Sequence, residues 1–349
     1  MRRSLKVAAN LAALVPTAAL AILMPSACWA LDPMEYIGKP PLGLPAVPVP
    51  SNNPLTKEKA ELGRALYFDP RLSKDSSLSC ATCHNPSLGW SNGLPVAVGV
   101  KGQTGGRSAP VIYNTAYEER LFWDGRAGSL EEQAAGPVQN PIEMGMGAGH
   151  VRDVAARLNA IPAYKAWFTK VFGEPATEDN ITKAIATYER TILSGNAPVD
   201  RFTAGDQSAL SPEAQRGFAL FKGKANCTTC HVGFNFADGD FHNVGVGMSK
   251  PKPDLGRFDV TKKPEDKGKF RTPTLREITE SAPYMHDGSL KTLEEVVELY
   301  DKGGEPNPNL DKQILALHLT KEEKADLVAF LKQGFKGEEL TIVYPDLPK

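Results

Sequence analysis

Cys80-Ala81-Thr82-Cys83-His84 and Cys227-Thr228-Thr229-Cys230-His231 are two copies of one pattern in a chain of 349 residues. C-x-x-C-H is the attachment signature of c-type haem, in which both thiols bond to the porphyrin and the adjacent histidine is placed to ligate the iron. Two copies predict two haem c groups, one on Cys80, Cys83 and His84, the other on Cys227, Cys230 and His231. A zinc site or a redox dithiol also begins with C-x-x-C, but neither requires a histidine directly after each second cysteine. The expected fold is therefore mainly α, with two cytochrome c-like domains and few short strands. A large cofactor, rather than regular structure, fills each core.

Arg2, Arg3 and Lys6 precede an apolar stretch from Val7 to Ala27 that ends in Cys28-Trp29-Ala30. A basic start, an apolar middle and a small final residue read as a secretory signal peptide over residues 1–30. The stretch is somewhat long for a signal core, so an uncleaved anchor is the alternative. Pro25 argues against a lipid anchor on Cys28. Haem c is attached outside the cytoplasm, so export and the C-x-x-C-H motifs agree. With Cys28 removed, haem takes all four remaining cysteines and none is left for a disulfide. Lys and Arg number 40 against 41 Asp and Glu, with no basic run, so nucleic acid is not an expected partner.

About 320 mature residues suit two domains, expected at 31–200 and 201–349 and joined near 196–207. Residues 31–55 are proline-rich and read as an extended lead-in. The halves then echo each other: Gly63-x-Ala65-Leu66-Tyr67 precedes the first motif and Gly217-x-Ala219-Leu220-Phe221 the second. Each lies at the end of a predicted helix, the second opened by Ser211 as N-cap and Pro212 at the first helical position. Capping boxes at Thr292–Glu295 and Thr320–Glu323 open further helices, the latter running to about Lys332. Val151–Leu158 and Ile181–Leu193 also read as helical, and Thr341–Tyr344 as a strand.

Between the motifs stand Phe122-Trp123-Asp124-Gly125-Arg126, Gln133, Pro137 and Asn140-Pro141-Ile142-Glu143-Met144. Beyond the second motif lies Tyr284-Met285-His286-Asp287-Gly288. With the two haem motifs, these segments closely resemble the bacterial di-haem cytochrome c peroxidases and the related MauG-type enzymes, over about Pro54 to Leu331. The resemblance implies a periplasmic enzyme whose first haem meets hydrogen peroxide and whose second transfers electrons or stores charge. Peroxide cleavage needs a proton moved from one oxygen to the other, and Glu143 matches the family's acid–base residue. Gln133 matches an amide that positions peroxide, and Trp123 a tryptophan lying between the haems. Unaided, each has a plainer reading: a solvated glutamate, or a tryptophan in a core.

Two departures from the family pattern bear on mechanism. Many di-haem peroxidases carry a blocking histidine sixteen residues past the first motif's histidine. Val100 stands there, and no histidine occurs between His84 and His150. The first iron is therefore expected to keep an open or water-filled sixth position. The peroxidases also place a methionine fourteen residues after the histidine of the His-Asp-Gly segment, as distal ligand of the second haem. Tyr300 stands there, as in MauG-type enzymes, on the face of Leu293, Val296 and Val297. An ordinary core tyrosine, with Met248 or Met285 as ligand, is the alternative. A phenolate favours ferric or higher states, where methionine would raise the potential.

The family's inter-domain calcium ion would fall near Ser108, Ser281 and Pro283, with Ser108 replacing an asparagine. Ala225 replaces a surface tryptophan that MauG-type enzymes use towards a protein substrate. Three functions follow. One is a peroxidase drawing electrons from a small cytochrome c or copper protein. Another is a MauG-like oxidant of side chains on a protein partner, and the third a plain electron carrier. The peroxidase is expected, and a homodimer is left open.

Overall fold

Most of the long helices begin where the sequence supplies an oxygen to hold the first free N–H groups. The computed structural model describes Tyr36 and residues 38–349, so the expected signal peptide lies outside the described residues. α1 (Lys57–Phe68) starts after Thr56, whose hydroxyl accepts from the Lys59 N–H. α2 (Cys80–Cys83) is the single turn that carries the first thiol pair. α3 (Leu130–Gln139) is capped by Ser129 and is followed by α4 (Val151–Asn159) and α5 (Pro162–Phe172). α6 (Glu178–Glu189) opens on a Thr177–Asn180 capping box, and α7 is the short Pro198–Thr203. α8 (Pro212–Lys222) is capped by Ser211, and α9 is Phe258–Thr261. α10 (Leu293–Asp301) and α11 (Lys321–Gly334) open on the two expected capping boxes. Two two-residue strands, β1 (Phe241–His242) and β2 (Phe270–Arg271), pair antiparallel with Phe241 facing Arg271. The protein is mainly α.

The sequence echo before each haem motif has a packing cause. α1 crosses α6 at Gly63, where an added Cβ would stand 1.9 Å from the Ala184 carbonyl oxygen and 2.9 Å from the Cβ of Tyr188. α8 crosses α11 at Gly217, where the same atom would stand 2.0 Å from the Asp326 carbonyl and 2.8 Å from the Cβ of Phe330. In each half the glycine lets two backbones touch, and an aromatic ring one turn later closes the contact. Ala65 and Leu66 of the first copy and Phe218 and Phe221 of the second enter separate apolar cores. One runs from Leu62 to Ile185 over α1 and α3–α6, the other from Ala197 to Phe335 over α7, α8, α10 and α11. The described residues form one compact unit.

Two local expectations are corrected. The helix expected to reach Leu193 ends at Glu189. Thr191 donates its hydroxyl to the Tyr188 carbonyl, and Ile192 and Ser194 bond to Asn114 instead of continuing the spiral. Thr341–Tyr344 forms no strand. It has no facing strand; Arg64 donates to the Val343 carbonyl at 3.0 Å, and the Tyr344 ring seats on Phe68.

Candidate haem and peroxide sites

Each C-x-x-C-H segment folds back on itself, the histidine N–H donating to the carbonyl of the first cysteine at 2.9 Å in both copies. His84 Nδ1 lies 2.9 Å from the Pro110 carbonyl and His231 Nδ1 2.8 Å from that of Phe236. A carbonyl can only accept, so each Nδ1 carries the hydrogen and each Nε2 presents its lone pair. Burial lowers the pKa of both imidazoles and favours this neutral form.

His84, Cys80 and Cys83 line a cavity of about 630 Å³ together with Trp123, Gln133 and Glu143. Gln133 and Pro137 come from α3, and Glu143 from the turn after it. The Glu143 carboxylate accepts from Asn140 Nδ2 at 2.9 Å. Burial raises its pKa, opposed by the Arg126 charge and the Asn140 hydrogen bond. Val100 is 4 % exposed and does not line this cavity; its side chain packs against Gly145. Ala97, Gly105 and Gly106 are the residues of 97–106 that do, and none has a side chain able to bind iron.

His231, Cys227 and Cys230 line a second cavity of about 230 Å³. α10 brings Tyr300 into its wall, with Leu293 and Val297 buried on the same helix, and burial raises the phenol pKa. Met285 and His286 also line it, whereas Met248 lies against Gly268. Ser108, Ser281 and Pro283 share a wall of the second cavity. These three offer hydroxyl and carbonyl oxygens without a carboxylate, and the Ser108 carbonyl already accepts from the Trp123 indole at 2.9 Å.

Trp123 lines both cavities. Its carbonyl accepts from the Arg271 N–H at 2.8 Å, so the ring is tied to Ser108 on one side and its backbone to β2 on the other. Arg271 also lines both cavities and pairs with Glu118 at 2.7 Å. Sequence reading missed this pair, along with His242 held between Asp238 (2.9 Å) and Asp311 (2.6 Å) beside the second motif. It also missed Glu189, a buried carboxyl in the first cavity's wall whose pKa burial pushes up to about 8. Glu118 and Arg271, and His242 and Asp311, lie far apart in the chain and carry no local signal, although Asp238 stands only four residues before His242.

The residues fit two haem c groups. The thiol pairs line different cavities, so they cannot form a four-cysteine zinc site. Arg271 Nε and Glu118 Oε2 are buried without a hydrogen-bond partner in residues facing the cavities, as expected where a large polar-edged group completes the wall.

Fold and site thus define a c-type haem protein with two C-x-x-C-H cavities, both lined by Trp123. Residues 57–208 match the family model described as di-haem cytochrome c peroxidase, and residues 214–334 match that of cytochrome c. The chain is 47 % identical over 307 residues to methylamine utilization protein MauG of Methylorubrum extorquens, covering 87 % of this chain and 85 % of that one. It is 40 % identical to cytochrome-c peroxidase IdrP1 of Denitromonas iodatirespirans, covering 94 % and 96 %. A crystal structure of a MauG-like protein associated with microbial copper homeostasis superposes with a TM-score of 0.78 at 36 % identity, over 85 % of this chain and 95 % of that one. The chain belongs to the di-haem cytochrome c peroxidase and MauG family, and it is an oxidoreductase of the peroxidase type.

Proposed function

We propose that the protein is an exported, periplasmic di-haem peroxidase that reduces hydrogen peroxide in the first cavity, with electrons arriving from the second site through Trp123. The domains expected at 31–200 and 201–349 would each carry one haem c. When bound, the haems supply the iron at which peroxide is cleaved and a second centre that holds charge. His84 would hold the first iron, and His231 with Tyr300 the second. The observation that carries the proposal is that Trp123 faces both cavities while Glu143 and Gln133 face the first.

The chain's own residues do the following. Glu143 takes a proton from one peroxide oxygen and returns it to the other, and Asn140 fixes the carboxylate that does so. Gln133 orients peroxide with its amide. No ligating side chain from residues 97–106 enters the cavity, so peroxide reaches the site without a prior rearrangement of that loop. Trp123, with its indole N–H held on the Ser108 carbonyl, is an oxidisable ring fixed between the two sites. The donor is a small cytochrome c or copper protein.

A second reading, a MauG-like oxidant of a protein partner, is favoured by Tyr300 in place of methionine. It is disfavoured at Ala225, which is 5 % exposed and so offers no surface ring for charge to leave by. The test is to supply peroxide with and without reduced small cytochrome. Turnover only with the cytochrome supports the peroxidase. Peroxide-oxidised protein that persists without donor, and ignores the cytochrome, contradicts it.

A further inference from the structure

On the side of the first cavity that carries the thiol pair, five rings run outward in contact. Tyr67 is fully buried, donates its hydroxyl to the His84 carbonyl at 2.9 Å, and belongs to a cluster packed on Cys80. Its ring lies 5.8 Å from Trp90 and 5.3 Å from Tyr188, edge to face in both cases. Trp90 and Tyr188 are themselves 6.4 Å apart. Phe68 lies 5.4 Å from Tyr67, 6.5 Å from Tyr188 and 5.2 Å from Tyr344, and Tyr344 is 62 % exposed. Packing alone would be served by any large apolar side chains. Four of these five are tyrosine or tryptophan, the side chains that give up an electron most readily, and the outermost is a phenol in water.

We propose that this chain of rings is a second route for oxidising equivalents, ending at Tyr344, where the protein oxidises small phenols from solution. It rests on the first cavity being the peroxide site and departs from it beside Cys80 and His84. The balance closes with peroxide as oxidant: one peroxide and two phenols give two waters and two phenoxyl radicals. In each of two steps an electron moves inward along the rings, the exposed Tyr344 hydroxyl releases its proton to water, and a phenol restores the hydrogen atom. Trp90 passes an electron while keeping its proton, and buried Tyr67 and Tyr188 regain theirs as each is re-reduced, Tyr67 from its hydrogen bond to the His84 carbonyl, so net proton loss occurs only at Tyr344. Phe68 acts as the spacer that holds Tyr344 against the interior rings.

The test treats the haem-loaded protein with one equivalent of peroxide and no donor, then maps radicals by freeze-quench electron paramagnetic resonance and by mass spectrometry of a nitrone spin-trap adduct. The expected result is a tyrosyl signal with the adduct on Tyr344. Tyr344→Phe should abolish that adduct and the peroxide-driven oxidation of a simple phenol. Tyr67→Phe combined with Tyr188→Phe, which removes both phenols that Phe68 touches while keeping a ring in each space, should abolish both as well. If peroxide is consumed but the adduct lies elsewhere, or phenol oxidation survives in Tyr344→Phe, this route is overturned alone. If peroxide is not consumed at all, the peroxide site and the route fall together.

Discussion

The backbone N–H of Val100 donates to the carbonyl of Glu143 at 2.8 Å. The position where relatives are expected to carry an iron-blocking histidine is thus part of the mount of Glu143, the carboxyl proposed for acid–base work. The preceding Gly99 permits the contact, since a Cβ there would stand 1.8 Å from the Ile142 carbonyl oxygen. The loop therefore holds Glu143 in place and puts no ligand into the cavity.

Glu143→Gln keeps the hydrogen bond geometry with Asn140 but cannot carry the proton. The reaction with peroxide should slow by about 10²-fold or more, measured by stopped-flow absorbance. Because burial raises the pKa of this carboxyl, wild-type reactivity should fall on acidification at a pH above the ordinary glutamate value of about 4.3. That acid limb should vanish in the variant; a limb that persists assigns the proton to another group.

Trp123→Phe preserves a ring in the wall shared by the cavities but removes the indole N–H bonded to Ser108. Electron transfer between the haems should slow while peroxide binding at the first site is retained. Equal inter-haem rates in the two proteins, by flash or rapid-mixing spectroscopy, would exclude the tryptophan as relay.

Tyr300→Met should raise the reduction potential of the second haem, because thioether ligation favours ferrous iron and a phenolate does not. Spectroelectrochemical titration reads this directly. No change in potential would mean that the phenol does not reach the iron.

Gly217→Ala places a methyl group against the Asp326 carbonyl where α8 and α11 touch. Overpacking of this kind costs about 1–3 kcal/mol. Denaturant unfolding should show that loss, and Gly63→Ala should show the same in the other half through Ala184. A neutral result at either position would mean the helices part freely.

Glu189 is buried in the first cavity's wall, and burial pushes its carboxyl up to about 8, with Glu131 adding to the shift and Arg190 opposing it. The folded protein therefore binds a proton that the unfolded chain releases near pH 4.3, so this contribution to stability is complete below about 4.3 and lost as pH rises through about 8. Tm should decline over that window, and Glu189→Gln should flatten the decline. An unchanged profile in the variant would remove Glu189 as its source.

What the sequence made legible was mostly local. The two C-x-x-C-H peptides are read from five consecutive residues each, and the caps at Ser211, Thr292 and Thr320 with the helices they open depend on residues within one turn and stand in the structure. The helix overrun past Glu189 and the strand at Thr341–Tyr344 failed for a different reason. Each was decided by a distant partner, Asn114 in one case and Arg64 with Phe68 in the other. The same holds for the site: His242 and Asp311 are 69 residues apart in the chain, and no spacing rule joins them.

The most direct measurement adds one equivalent of peroxide to the fully ferric, haem-loaded protein and follows the Soret and visible bands of both haems on the millisecond scale. If Trp123 joins the two cavities, the spectra of both haems change together from one oxidising event, with no prior reduction of the second. A change confined to the first haem, or none until the second is reduced, would contradict the open first site and the bridge between them.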